Sequence, residues 1–155
     1  MSSKATLNSV DIEKIVKMLP HRYPMLMIDK VKDIVSDSSA VGIKNVTANE
    51  QYFSGHFPNK MVMPGVLMIE SMAQTCAVLV IKTIGKMSEG SLVYFMSVDG
   101  AKFRKPVIPG DQLIIKVMKE QSRGSVWKFS CICFVDDIKV SEAIITAMIA
   151  EKDND

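Results

Sequence analysis

His21 and His56 are the only histidines in the chain, so any imidazole chemistry must use one of them. His56 stands in Tyr52-Phe53-Ser54-Gly55-His56-Phe57-Pro58, between a glycine that frees the backbone and a proline that restricts it. A histidine held in this way is oriented. It can be a structural residue bonded to loop carbonyls or an acid–base group. Glu70 is the second unusual residue, because the run around it is otherwise apolar. Burying an ionised carboxylate without partners is strongly unfavourable, and desolvation raises a carboxyl pKa, which is what a general acid near neutral pH needs. Gln74, one turn later on the same helix face, is the partner that would instead make Glu70 structural.

Gly65 opens that apolar run, where its N–H has no intrahelical acceptor and lies at the positive end of the helix dipole. A base, an acid and a helix-end donor for an oxyanion together match proton abstraction beside a carbonyl, followed by loss of a leaving group. Other chemistries find less support. There is no HExxH or Cys/His cluster for zinc, and no GxGxxG or GxxxxGK[ST] for a nucleotide. Ser54 lies in no GxSxG elbow. Neither a metal nor a redox cofactor is expected.

These residues need elements to hold them. Val10, Ile12, Ile15, Val16 and Leu19 recur at helical spacing behind Ser9, a candidate N-cap, and the pattern stops at Pro20. Residues 25–35 and 40–46 alternate as strands do, with a serine-rich turn between them. Residues 47–64 carry Asn49, Gly55, Pro58, Asn59 and Pro64 and read as a long structured loop, a kind of segment that often carries function. From Gly65 to about Lys82 the spacing predicts a helix with almost no polar face, which must be covered nearly all round. Residues 92–98, 112–120, 125–135 and 139–150 read as further strands, the last two joined by a tight turn at Asp136 and Asp137. A curved antiparallel sheet of about six strands wrapped around the one long helix is the economical solution, giving an α+β class.

With 155 residues, 48% of them hydrophobic and 23% charged, the chain suits a single domain over 1–155 with a real core, and excludes disorder or a collagen-like repeat. A net charge of +2 without a clustered basic stripe argues against nucleic-acid binding. The three cysteines, Cys76, Cys131 and Cys133, are odd in number and sit among apolar residues, as reduced core thiols do. The first ten residues lack the pattern of an export signal, and export is not expected. Residues 65–84 have a membrane-spanning length, but Glu70, Ser71 and Gln74 make them a core helix rather than a span, and no membrane partner is expected.

Leu19-Pro20-His21-Arg22-Tyr23-Pro24, Gly55-His56-Phe57-Pro58, Pro64-Gly65-Val66-Leu67-Met68-Ile69-Glu70-Ser71-Met72-Ala73-Gln74 and Phe103-Arg104-Lys105-Pro106-Val107-Ile108-Pro109-Gly110-Asp111 together resemble the FabZ family. These are the 3-hydroxyacyl-[acyl-carrier-protein] dehydratases of type II fatty acid synthesis. The resemblance runs from about Ile12 to Ala150, in family order and spacing. It implies a hot-dog fold and a cytoplasmic enzyme without a cofactor, whose partner is an acyl carrier protein bearing a 3-hydroxyacyl phosphopantetheine thioester.

By the same resemblance, His56 matches the residue that removes the C2 proton and Glu70 the one that protonates the departing C3 hydroxyl, with the thioester oxygen against the Gly65 N–H. Water and a trans-2-enoyl thioester are the implied products. His56 of one protomer is expected to meet Glu70 of a second in a homodimer, with three dimers forming a hexamer. Tyr23, Phe57 and Met68 are expected at the acyl tunnel or its gate, while His21 reads as structural in a rigid turn. Most methionines read as adaptable core packing. Lys102, Arg104 and Lys105 form the densest basic run, either a solvated surface or a surface that steers an acidic carrier protein. A hot-dog thioesterase and a non-catalytic acyl-binding protein are the alternatives. Glutamate rather than aspartate at position 70 resembles the plain dehydratase more than the related dehydratase and isomerase.

Overall fold

In the computed structural model, which describes residues 8–85 and 92–150, the first helix starts later than its periodicity implies. Val10 exchanges two backbone hydrogen bonds with Val31, at 2.8 and 3.0 Å, and is thereby drawn into the sheet. Asp11, not Ser9, becomes the N-cap of helix α1 (Ile12–Met18), its side chain accepting from the Lys14 N–H at 3.1 Å. A bridge to a distant strand has outranked the local capping preference. At the other end, the Arg22 guanidinium donates to the carbonyls of Val16, Leu19 and His21 at 2.8, 2.8 and 2.7 Å. The turn over 19–24 is therefore tied to α1.

The strand expected over 25–35 begins only at Lys30. The Met27 N–H and the Met25 carbonyl are occupied by the two ends of the Gln74 side chain, each at 2.8 Å, so these residues have no ladder to join. Strand β1 (Lys30–Val35) is followed by β2 (Ser39–Asn45), the loop with its single 3-10 turn at Gln51–Ser54, and helix α2 (Gly65–Ile84). Then come β3 (Leu92–Phe103), β4 (Gln112–Arg123), β5 (Val126–Val135) and β6 (Ile138–Ala150). Strands β3 and β4 outrun their apolar alternation because antiparallel pairing continues past it, to Phe103 opposite Ser141 and Arg123 opposite Val126. Asp136 and Asp137, at φ 50° and 63°, make the two-residue β5–β6 turn, a conformation that carboxamide and carboxylate side chains tolerate.

The six strands form one antiparallel sheet in the order β1-β2-β4-β5-β6-β3. It curls around α2, whose residues from Ser71 to Ile81 are all buried. Helix α2 is long and apolar enough to cross a membrane, yet 67% of its most apolar stretch is buried within this fold. Phe129, Leu113, Ile115 and Ile145 from the sheet meet Met72 and Leu79 from the helix in the core. Among the described residues, strand β3 pairs with β6 on one side only, and its other edge is open.

Candidate active site

His56 follows the 3-10 turn and is held from two sides by one residue. Its Nδ1 lies 2.6 Å from the Val62 carbonyl, and its own carbonyl accepts from the Val62 N–H at 3.0 Å. A carbonyl only accepts, so the proton of the neutral ring sits on Nδ1 and Nε2 is left with the lone pair of a base. Two backbone bonds between Phe57 and Lys60, at 2.7 and 3.0 Å, close the turn beyond it. The Phe57 ring stacks on the imidazole with centroids 4.1 Å apart, and is 52% exposed.

His56 lines a groove of about 400 Å³ with Gly65, Val66, Met68, Phe103 and Lys105. Gly65 is the first residue of α2, and the N-cap, Pro64, supplies no side-chain acceptor. The Leu67 and Met68 N–H groups turn back to the Pro64 carbonyl at 3.0 and 3.4 Å, while the Gly65 N–H has no acceptor within the helix. The groove thus combines a basic ring nitrogen with a donor at a helix N-terminus, suited to a carbonyl oxygen that gains charge.

Glu70 lies in a second, smaller cleft, bordered by His21, Ala73, Gln74, Val93 and Phe95. One oxygen, Oε1, accepts from Gln74 Nε2 at 3.0 Å and lies 3.3 Å from His21 Nε2. Burial is the largest single influence and pushes the carboxyl pKa up. The contact with His21, the bond from Gln74 and the imidazole charge together overcome it and hold the carboxyl below its ordinary value. This corrects the expectation from desolvation alone. Gln74 is both things at once: the partner on Glu70's face, and a buried clamp on residues 25 and 27.

Within one chain, His56 and Glu70 therefore line different clefts, His56 with Gly65 and Glu70 with His21. Met68 is only 3% exposed, its sulfur accepting from the Ser141 hydroxyl at 3.5 Å, so it is core with one edge on the groove of His56. Tyr23 stands 78% exposed in the turn beside His21. The basic run does not act as one patch. Lys102 borders a cleft with Ser130 and Ile144, whereas Arg104 and Lys105 face the groove of His56. Arg104 is paired with Glu142 at 2.9 Å, leaving Lys105 beside the groove. Sequence reasoning missed His21 as a neighbour of Glu70 and Phe103 as the cover of Gly65. Only the proximity of His21 to the turn motif hinted at the first.

A further groove, about 470 Å³ between α1 and the end of α2 and larger than that of His56, is lined by Lys14, Lys17 and Lys82 around an apolar floor and includes neither histidine. The chemistry-bearing residues, not cavity size, mark the site.

Residues 19–144 match the family model described as FabA-like domain. Over 145 residues, covering 94% of this chain and 91% of the relative, the chain is 59% identical to a 3-hydroxyacyl-[acyl-carrier-protein] dehydratase FabZ of Rhodospirillum rubrum. Among solved structures, the dehydratase heterocomplex ApeI:P from Xenorhabdus doucetiae superposes with a TM-score of 0.76 at 18% identity, covering 89% of this chain and 91% of that one. A hot-dog-like protein from Thermanaerovibrio acidaminovorans gives 0.62 at 12% identity, covering 77% and 86%. The structural likenesses establish the hot-dog fold, while the family match and the extent of the sequence identity place the chain in the FabA-like domain family, among the FabZ 3-hydroxyacyl-[acyl-carrier-protein] dehydratases.

Proposed function

We propose that this protein dehydrates 3-hydroxyacyl thioesters of acyl carrier protein to trans-2-enoyl thioesters in fatty acid biosynthesis, with His56 and Glu70 contributed by two copies of the chain. The observation that carries the two-copy reading is the position of the clefts along β3. Val93 and Phe95 wall the cleft of Glu70 at one end of the strand, and Phe103 walls the groove of His56 at the other. Between them the open edge exposes Met96 and Val98, and an apolar edge left bare is a template for pairing. A second copy pairing antiparallel about a two-fold axis near Val98 sets Val93 of one copy opposite Phe103 of the other. Each Glu70 cleft then adjoins the other copy's His56 groove.

In such a site the chemistry balances within the two side chains. His56 Nε2 takes the C2 proton and the C2–H electrons form the C2=C3 double bond, passing through enolate-like charge on the thioester oxygen at the Gly65 N–H. The C3–O bond breaks as Glu70 supplies a proton, and water leaves. A proton returned from His56 to Glu70 resets the pair. Closing the cleft under a second copy and an acyl chain removes more water from Glu70, which works in the direction of keeping it protonated. Lys105, with Arg104 beside it, is the cation at the groove that an acidic carrier protein would meet. Assembly of three dimers and work in the cytoplasm extend the same reading.

The test is complementation. His56→Ala and Glu70→Gln each lower turnover of a 3-hydroxyacyl pantetheine thioester by roughly a hundredfold or more. Co-expressed, the two inactive chains form heterodimers with one intact site, and enoyl absorbance returns. Wild-type rates in both single variants would sink the assignment, and purified heterodimers without recovery would sink the shared site. Release of free thiol in place of enoyl product would mark a thioesterase.

A further inference from the structure

We propose that His21 is a positioning residue for Glu70, holding one carboxyl oxygen so that the other carries the proton to be delivered; the inference rests on Glu70 acting as the proton donor. Both polar neighbours of the carboxyl fall on the same atom, Oε1: Gln74 Nε2 at 3.0 Å and His21 Nε2 at 3.3 Å. The Gln74 N–H bond and the His21 contact together engage Oε1 and leave Oε2 untouched. In the acid form the proton then sits on Oε2, which neither of them touches.

The environment of His21 fits this role better than a purely structural one. Its Nδ1 is buried without a hydrogen-bond partner, and Nε2 meets only Glu70 among the described residues. A histidine kept to stabilise a turn would bond its ring nitrogens to nearby carbonyls, since buried polar atoms nearly always find partners. Here the turn is secured by Arg22 instead, through its three carbonyl bonds, and the imidazole is free to face the carboxyl. The second arm is as firmly mounted: Gln74 is 1% exposed and fixed by the Met25 carbonyl and the Met27 N–H. One stretch of chain, residues 19–27, thus folds over α2 and aims Glu70 from both sides. Misplacing a reacting group by about 1 Å can cost on the order of a hundredfold in rate.

The experiment measures kcat and KM on a 3-hydroxyacyl pantetheine thioester for five variants, each checked for native circular dichroism. His21→Phe keeps the ring and removes the donor. Its kcat is expected to fall by roughly tenfold to a hundredfold with KM little changed, the pattern of a lost transition-state interaction. His21→Gln, whose amide nitrogen reaches about as far as Nε2, recovers most of the rate. His21→Asn, whose amide stops at the Nδ1 position, does not, and it replaces the phenylalanine variant if that one fails to fold. Adding the same His21 substitution to Glu70→Gln costs nothing further, because the residue acts through Glu70. Wild-type kcat in both His21→Phe and His21→Asn beside an inactive Glu70→Gln overturns the inference and leaves the proposed function standing. So does a full additional loss in the double variant. Retained activity in Glu70→Gln overturns the reading beneath it.

Discussion

Gly65 lies so close to Phe103 that a Cβ in its place would stand 2.7 Å from Cε1 and within 3.0 Å of two more ring atoms. No side chain fits that space while the ring stays. Phe103, however, is 50% exposed at the end of β3, so the ring can swing away instead of the fold giving way. Since Phe103 and Gly65 border the same groove as His56, the displacement falls on the site. Gly65→Ala is expected to melt near the wild-type temperature while turnover drops by about tenfold or more. Gly65→Ala with Phe103→Leu recovers part of the loss. Steady-state kinetics beside thermal melts decide it: unchanged turnover, or a melting temperature lowered as by a core substitution, contradicts the account.

Gly42 presents the opposite case. A Cβ there would meet Thr75 Oγ1 at 2.2 Å, with Cγ2 and Cβ at 3.0 and 3.1 Å. Thr75 is fully buried on α2, and the bond from its hydroxyl to the Ser71 carbonyl at 2.9 Å holds the side chain in this rotamer. Strand β2 must move off the helix. Gly42→Ala should therefore destabilise by about 1–3 kcal/mol through overpacking. The Thr75→Ala background should make the same change cheaper, which chemical denaturation of the four-member cycle measures. Equal costs in both backgrounds would show that the contact is not the cause.

The contrast between these glycines bears on what a sequence can reveal. Gly65 was legible as a helix start because Pro64 precedes it and an apolar run follows. Gly42 carried no signal, since its constraint comes from a threonine 33 positions away. Helix α2 was legible end to end within two residues, as a segment without a polar face has only one way to be satisfied. The β5–β6 hairpin was legible from its two aspartates. What local pattern could not disclose were side chains reaching across the fold. Val31 drew Val10 away from α1, and Gln74 took the backbone groups that would have extended β1. His21, joined to Glu70 by no helical spacing, helped Gln74 to reverse the direction in which burial alone moves the carboxyl. Glu142 likewise removed Arg104 from the free basic run.

Glu142 also sets an acid limit on the strand that frames the groove. Its two oxygens engage Lys139 and Arg104, which pull the carboxyl from the ordinary range down to about 2. Arg104 is joined to β6 a second time by its N–H to the Val140 carbonyl at 2.7 Å. A carboxyl whose pKa is lower in the folded than in the unfolded state contributes stability that is complete above the unfolded value and lost as pH falls through the folded one. For Glu142 that window runs from the ordinary carboxylate range down to about 2. Glu142→Gln should cost stability near neutral pH and progressively less on acidification, so its denaturation midpoint and that of the wild type converge toward the bottom of the window. Because the pair is open to solvent, salt near 1 M, with a Debye length of about 3 Å, should shrink the neutral-pH difference. Denaturant midpoints at several pH values and two salt concentrations test both signs. A gap between the two proteins that stays constant across the window would mean that the packing of the Glu142 side chain, and not its ion pairs, holds β6 against the end of β3.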